Sequence, residues 1–265
     1  PTVLPDPTVT ESGGVYTLTY QPEPNANGSA TVTVTATDDG GGVSPSVDTY
    51  TDSFTITVEA VNDPPLFDTV ADITVDEDAA SDSVVYSGVS AGGGTDEDSQ
   101  TVTMTVESSD TSVVEITSSN DTGFTYATVA DANGVATITV TADDGQSANS
   151  STEQSFTITV NAVNDAPTFD TIDDVTVDED SGDIVVSVTG ISPETVAGET
   201  AQTVTLTAEA SDSGEAIADV TQNGDIATIT VTPVGGFSGD VTVTVTATDS
   251  GDGNTPNVNT YSADF

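Results

Sequence analysis

The chain has 265 residues, 45 of them Asp or Glu and none of them Lys, Arg, His, Cys or Trp, so its formal charge of -45 has no internal counterion. His and Lys bases, Cys nucleophiles, arginine clamps and most zinc or haem ligation are thereby excluded, as are disulfides and Lys-to-Asn isopeptide staples. A surface of one negative sign is repelled by nucleic acid and by anionic membranes, and no apolar run approaches the roughly 18 to 20 residues that span a bilayer.

From the N-terminus, "VYTLTYQPEPNANG" (15–28) lines up with "IATITVTPVGGFSG" (226–239), so the chain enters partway through a repeating unit predicted to end at 63. "ATVTVTATDDG" (30–40), "ATITVTADDG" (136–145) and "DVTVTVTATDSG" (240–251) are one element three times. With the recurring "SFTITV" they set a unit of about a hundred residues, the size of an immunoglobulin-like sandwich. Val32, Val34 and Ala36 alternate with Thr31, Thr33, Thr35 and Thr37. A period of two with branched side chains predicts strands that bury one face.

The middle unit, 64–165, carries strand-like runs near 67–76, 83–91, 101–108, 113–118, 124–130, 135–143 and 155–163, separated by Gly, Asn, Asp and Ser. Seven such runs predict a two-sheet sandwich; this patterning also argues against disorder. The last unit, 166–265, stops at Phe265, where its last strand is expected to begin. Both ends read as cuts through a longer array. Donor-strand exchange is the second explanation, although the first unit, 1–63, lacks more strands than one donated strand supplies.

The acids gather at unit junctions and strand ends: Asp38-Asp39, Asp76-Glu77-Asp78, Asp96-Glu97-Asp98, Asp143-Asp144 and Asp178-Glu179-Asp180. Two carboxylates about 4 Å apart repel by roughly 1 kcal/mol even in water, so such clusters call for a cation. Calcium, which takes six to eight hard oxygens in flexible geometry, suits carboxylates, Asn and backbone carbonyls. The pair Asp173-Asp174 reads as a solvated turn, and Asp131-Ala132-Asn133-Gly134 fails the EF-hand pattern and also reads as a turn. Glycoside hydrolysis needs two carboxylates across one cleft; acids repeated at domain joints are wrongly placed for it, and no enzymatic activity is expected.

The order of "TATDDGG", "SFTITVEAVNDPPLF", "ITVDED" and "TDEDSQ" resembles the cadherin repeat and, most closely, the Ig-like or cadherin-like tandem repeats of giant bacterial surface proteins. The resemblance covers essentially the whole chain. It implies an all-β fold of tandem Ig-like/cadherin-like β-sandwich domains in a linear array, with Ca2+ shared between neighbours. Carried over by position, it implies Asn62, Asp63, Asp96, Asp98 and Asp143 as ligands at the first joint. At the second it implies Glu77, Asn164, Asp165 and Asp249, with Glu179 facing a further unit. The chain departs from the family where Ala60 and Ala162 replace the first linker Asp, and where "SPETVAGETAQ" replaces the Asp-x-Asp pair.

The expected protein is therefore a secreted, extracellular structural repeat of a bacterial surface protein. It would be the calcium-stiffened stalk of an adhesin, or the subunit of a filament in which neighbouring copies meet. No nucleic-acid partner and no membrane insertion are expected. The competing class is a carbohydrate- or protein-binding Ig-like module, whose mark would be aromatics clustered in loops. Tyr50, Tyr86, Tyr126 and Tyr261 instead fall in or beside predicted strands.

Overall fold

The computed structural model describes residues 3–40, 48–193, 201–251 and 258–265; these are all-β and contain no helix. β1 (Thr8–Ser12) and β2 (Val15–Thr19) form a hairpin closed by Gly13 and Gly14, at φ 63° and 80°. That two-residue turn needs positive φ at both positions, and its twist matches that of the strands it joins. β3 (Gly28–Thr37) pairs with β4 (Thr49–Val58) from Gly28 opposite Val58 to Thr37 opposite Thr49. Neither hairpin has a further sheet partner among the described residues. Their apolar faces are open as a result: Phe54 is 45% exposed, whereas Phe156, at the same place in the middle unit, is 5% exposed.

The middle unit is a complete two-sheet sandwich. One sheet runs β5 (Ile73–Asp76), β11 (Ser151–Asn161), β10 (Gly134–Asp143), β7 (Thr103–Ser108). The other runs β6 (Asp82–Val85), β9 (Gly123–Thr128), β8 (Val114–Asn120). All neighbours are antiparallel except β5 and β11, which run parallel with Ile73 beside Ile158 and Asp76 beside Asn161. Ala136, Ile138, Val140 and Ala142 of β10 point inward, as the Thr alternation requires, and meet Phe156, Ile158 and Val160 of β11. Phe67, Tyr86, Phe124, Tyr126 and Phe156 complete this core, with neighbouring ring centroids 6.1 to 6.5 Å apart. Each such buried side chain contributes about 1.5–3 kcal/mol relative to exposure.

The last unit repeats the plan with sheets β12 (Ile184–Val188), β15 (Ile226–Pro233), β14 (Ala216–Asn223) and β13 (Val204–Ala210), β16 (Val243–Asp249), β17 (Thr260–Asp264). Its core gathers Phe169, Val188, Ile191, Leu206, Ile229, Val245 and Ala247. The last strand, expected to be missing, is present in its first half as β17, which pairs with β16 as far as Phe265 opposite Val243. The segment 175–178, in the place of β5, belongs to no ladder.

The outward faces of the long strands carry hydroxyls that bridge neighbours: Ser29 with Thr57, Thr139 with Ser155, and Thr246 with Ser262, at 2.8 to 3.3 Å. Thr combines a branched, strand-favouring shape with a polar tip. In a chain without Lys or Arg it takes over the solvated face.

Candidate calcium centres at the joints

At the first joint, between β4 and β5, the Asn62 amide is the organising group. Its Nδ2 donates to Asp144 Oδ2 and to the Ala148 carbonyl, both at 3.0 Å. Its Oδ1 accepts from Gln100 Nε2 at 2.9 Å, and its backbone carbonyl accepts from Asn149 Nδ2 at 2.8 Å. The next residue, Asp63, donates its backbone N–H to Glu97 Oε1 at 3.3 Å. Glu97 is buried, and its other oxygen has no hydrogen-bond partner.

Beside this network lies a cleft of about 210 Å³, lined by Glu23, Asn25, Glu59, Asp63 and Asp96 among others. Beside it the two units approach closely. Gly93 lies so near the Asn25 amide that a Cβ there would collide with it, and such a Cβ would stand 3.2 Å from Asp63 Oδ2. Gly94 likewise lies beside Asp96 Oδ1 and the Asn25 carbonyl. The glycines thus let the β6–β7 loop of the middle sandwich abut the β2–β3 loop of the preceding unit.

The second joint, between β11 and β12, reproduces the network. Asn164 Nδ2 donates to the Val258 carbonyl at 2.7 Å and to both oxygens of Asp249 at 3.3 Å, while its Oδ1 accepts from Gln202 Nε2 at 2.7 Å. Asn164, Gln202 and Asp249 therefore repeat Asn62, Gln100 and Asp144. On the side of the middle sandwich, buried Glu77 accepts the Val163 N–H through Oε1 at 2.6 Å, and its Oε2 has no partner.

Next to it, carboxylate oxygens of Asp78, Asp131 and Asp165 lie within 4.8 Å of one another. Asp78 and Asp131 reach this point from left-handed backbone, φ 61° and 57°, a conformation that Asp and Asn tolerate better than other side chains. Asp131 also donates its N–H to Asp78 Oδ1 at 3.4 Å.

The donor set fits calcium. Two oxygens on one Ca2+ at 2.3–2.6 Å stand at most about 5 Å apart, and the three carboxylates meet that limit. Every available donor is a hard oxygen, which suits calcium rather than zinc or copper. A buried carboxylate oxygen without a donor, as in Glu77 and Glu97, is otherwise costly.

Of the expected residues, Asn62, Asp63 and Asp96 meet at the first joint, and Glu77, Asn164, Asp165 and Asp249 at the second. Three lie elsewhere. Asp143 is exposed and accepts the Gly145 N–H at 2.6 Å; strand alternation turns Ala142 and Asp144 inward and Asp143 out. Asp98 is exposed, and the buried place in that loop belongs to Glu97. Glu179 is exposed because no described residue stands beside it as Val163 stands beside Glu77. Of "SPETVAGETAQ", residues 194–200 lie outside the described residues.

Sequence reasoning missed Asn25, Gln100 and Gln202, placed Glu97 and Asp144 in acid clusters without choosing them as ligands, and took Asp131 for a turn residue only. A signal was present: "NANG" (25–28) and "DANG" (131–134) recur at the same point of consecutive units, each ahead of a long strand. The first residue of each is left-handed, Asn25 at 56° and Asp131 at 57°.

No family model matches the sequence, and neither does any curated protein. Among solved structures, the chain is similar to human CDH23 EC21-23, with TM-score 0.50, 18% identity, and 98% of this chain and 80% of that one covered. It is also similar to protocadherin gamma B2 extracellular cadherin domains 1–5, with TM-score 0.49, 16% identity, and 98% of this chain and 49% of that one covered. A third is the protocadherin gamma B3 EC1-4 structure, with TM-score 0.48, 18% identity, and 98% of this chain and 62% of that one covered. The chain thus spans about half to four-fifths of the length of these structures. The fold is that of cadherin-like β-sandwich domains.

Proposed function

We propose that the protein is an extracellular tandem repeat of a bacterial surface protein that acts mechanically, as a stalk or as a filament subunit, stiffened at its joints by calcium. The reading rests on one observation above the others: Asp78, Asp131 and Asp165, from two loops and a linker, bring carboxylates within 4.8 Å of one another at a joint. In a chain of charge -45, no side chain supplies the balancing cation.

The chain's own residues set up two states of each joint. The Asn-Gln-Asp network seats the linker on the sandwich that follows it, through neutral amide donors that do not depend on an ion. The carboxylates face one another across the remaining gap and push it open by mutual repulsion, about 1 kcal/mol for a pair at 4 Å even in water. Bound Ca2+ supplies charge neutralisation and six to eight coordination positions. Extracellular calcium modules bind with dissociation constants of about 10⁻⁴ to 10⁻³ M, so calcium at ten times that level adds about 1.4 kcal/mol per site. No residue set for catalysis is proposed; the chain's work is to hold distance between its ends. Neighbouring copies are the proposed partners in a filament.

Calorimetry and solution scattering with 10 mM CaCl₂ and with EDTA test the reading. A higher melting temperature and a longer, narrower particle in calcium are expected; identical melting and identical scattering would refute it.

A further inference from the structure

The sequence holds three Asn-x-Ser/Thr triplets, beginning at Asn27, Asn120 and Asn149, and the fold presents them differently. Asn120 ends β8, and the turn Asp121-Thr122 joins it to Gly123 of β9, directly opposite. Asn120, Asp121 and Thr122 are all exposed. The body of the middle sandwich holds this tip in place: Asp121 Oδ1 accepts the Met104 N–H at 2.9 Å, and the Thr122 carbonyl accepts the Tyr86 N–H at 3.0 Å. Asn120 Oδ1 accepts both the N–H and the hydroxyl of Thr122, at 2.8 and 2.6 Å. Both bonds go to the amide oxygen, and the amide nitrogen has no partner among the described residues. Ser118, on the same face of β8, and Thr125 beside it are small and uncharged, which leaves room next to that nitrogen. The other two triplets are engaged at the first joint. Asn27 is half-buried and lines the cleft there, and Asn149 Nδ2 donates to the Asn62 carbonyl at 2.8 Å.

We propose that Asn120 is the acceptor of an N-linked oligosaccharide, transferred from a lipid-pyrophosphate donor, and that the fold withholds Asn27 and Asn149 from the same reaction. In the transfer a bond forms between Asn120 Nδ2 and C1 of the first sugar, and the bond from C1 to the pyrophosphate oxygen breaks. The electron pair leaves with the lipid pyrophosphate, and one amide proton passes to a base of the transferase. The triplet requires a hydroxyl two residues after the Asn, and here that hydroxyl is already turned onto the Asn120 amide. A bulky, solubilising sugar suits an exposed hairpin tip, where it displaces nothing from the core. The last unit carries a natural control. Asn223 ends β14 at the corresponding turn, and Gln222 Oε1 accepts the Leu206 N–H at 3.0 Å as Asp121 accepts that of Met104. Asp225 stands there in place of Thr122, so the exposed Asn223 lacks its hydroxyl. Nothing in this proposal depends on calcium.

The test incubates the folded, full 265-residue chain with a purified single-subunit oligosaccharyltransferase that reads Asn-x-Ser/Thr and with a lipid-pyrophosphate oligosaccharide. Peptide mass spectrometry locates the transfer, and synthetic peptides centred on Asn27, Asn120 and Asn149 are run alongside. All three peptides should accept the sugar, whereas the folded chain should gain a single oligosaccharide, at Asn120. Thr122→Ala, a change at an exposed side chain, should lose the transfer with an unaltered circular dichroism spectrum. Asp225→Thr should gain a second oligosaccharide at Asn223. No transfer to Asn120 of the folded chain, transfer to Asn149 equal to that at Asn120, or no gain at Asn223 in Asp225→Thr would each overturn the proposal.

Discussion

Asn62 and Asp144 stand 82 residues apart in sequence and 3.0 Å apart in the fold, amide to carboxylate, and the pair Asn164 and Asp249 repeats the contact one unit later. Each Asp sits at the end of the strand that leads into the loop beneath the linker. The amide thereby fixes the linker to the sandwich that follows it, while at the second joint the Glu77 bond to the Val163 N–H ties the same linker to the sandwich before.

Replacing Asn62 or Asn164 by Ala should destabilise the following sandwich by about 1–3 kcal/mol. Each change takes the amide donor from a buried Asp, which keeps one backbone N–H, and the amide acceptor from a Gln. Urea unfolding measures this. Asp98→Asn, on an exposed side chain in the same region, should change stability by less than about 0.5 kcal/mol.

Asp131→Asn gives the second joint the residue that the first joint carries at Asn25. Asn tolerates the left-handed backbone at φ 57°, so no strain is added. Without calcium the variant should melt at or above the parent temperature, because one of three mutually repelling carboxylates is gone. In calcium its gain should shrink, with affinity at that joint at least about tenfold weaker as one charged ligand is lost. Isothermal titration beside paired melting curves would show both signs.

How much of this was legible in advance follows from period and distance. The Thr alternation placed β10 to within a residue, because one face of that strand is buried along its length; β11, expected at 155–163, runs Ser151–Asn161, and its first half, where no residue is fully buried, is missed by that pattern. The run 67–76 shrank to Ile73–Asp76 since a strand exists only where β11 lies alongside; Leu66 makes a lone bridge to Ser90 instead. Asp143 was named in place of Asp144 because the two stand side by side after Ala142, although only Asp144, two residues on, shares the inward face of Ala142. Asp131 was rightly placed in a turn, but where its carboxylate goes depends on a linker 34 residues later, which no local pattern encodes.

The two buried tyrosines of the middle core give an alkaline signature. Burial pushes the Tyr86 and Tyr126 phenols above their ordinary 10.0, and Asp82 adds to the effect at Tyr126. A folded-state value above the unfolded one favours the protonated phenol. The contribution is whole below pH 10.0 and is lost as pH rises through the folded value. Neither hydroxyl has a hydrogen-bond partner. Tyr126→Phe should therefore raise stability at neutral pH by up to about 1 kcal/mol and reduce the alkaline loss. Melting curves from pH 8 to 12, read with tyrosinate absorbance, check this.

Acid acts through a different group. Asp72 accepts the Thr157 N–H at 2.7 Å, which holds its carboxyl below the ordinary 3.8. Its contribution is present above pH 3.8 and disappears as pH falls through the lowered value. Asp72→Asn should make the melting temperature less dependent on pH below about 4, as acid titration followed by circular dichroism would record.

The parallel pairing of β5 with β11 bears on what happens under tension. The middle sandwich is entered through β5 and left through β11, so a pull on its two ends slides these strands past each other lengthwise. Their evenly spaced hydrogen bonds, between Ile73–Asp76 and Ile158–Asn161, then share the load together instead of opening one at a time as in a hairpin peeled from its tip. The Glu77 bond to the Val163 N–H lies just past this patch and is drawn in the same direction. The domain thus meets force in shear, with its clasp at the joint.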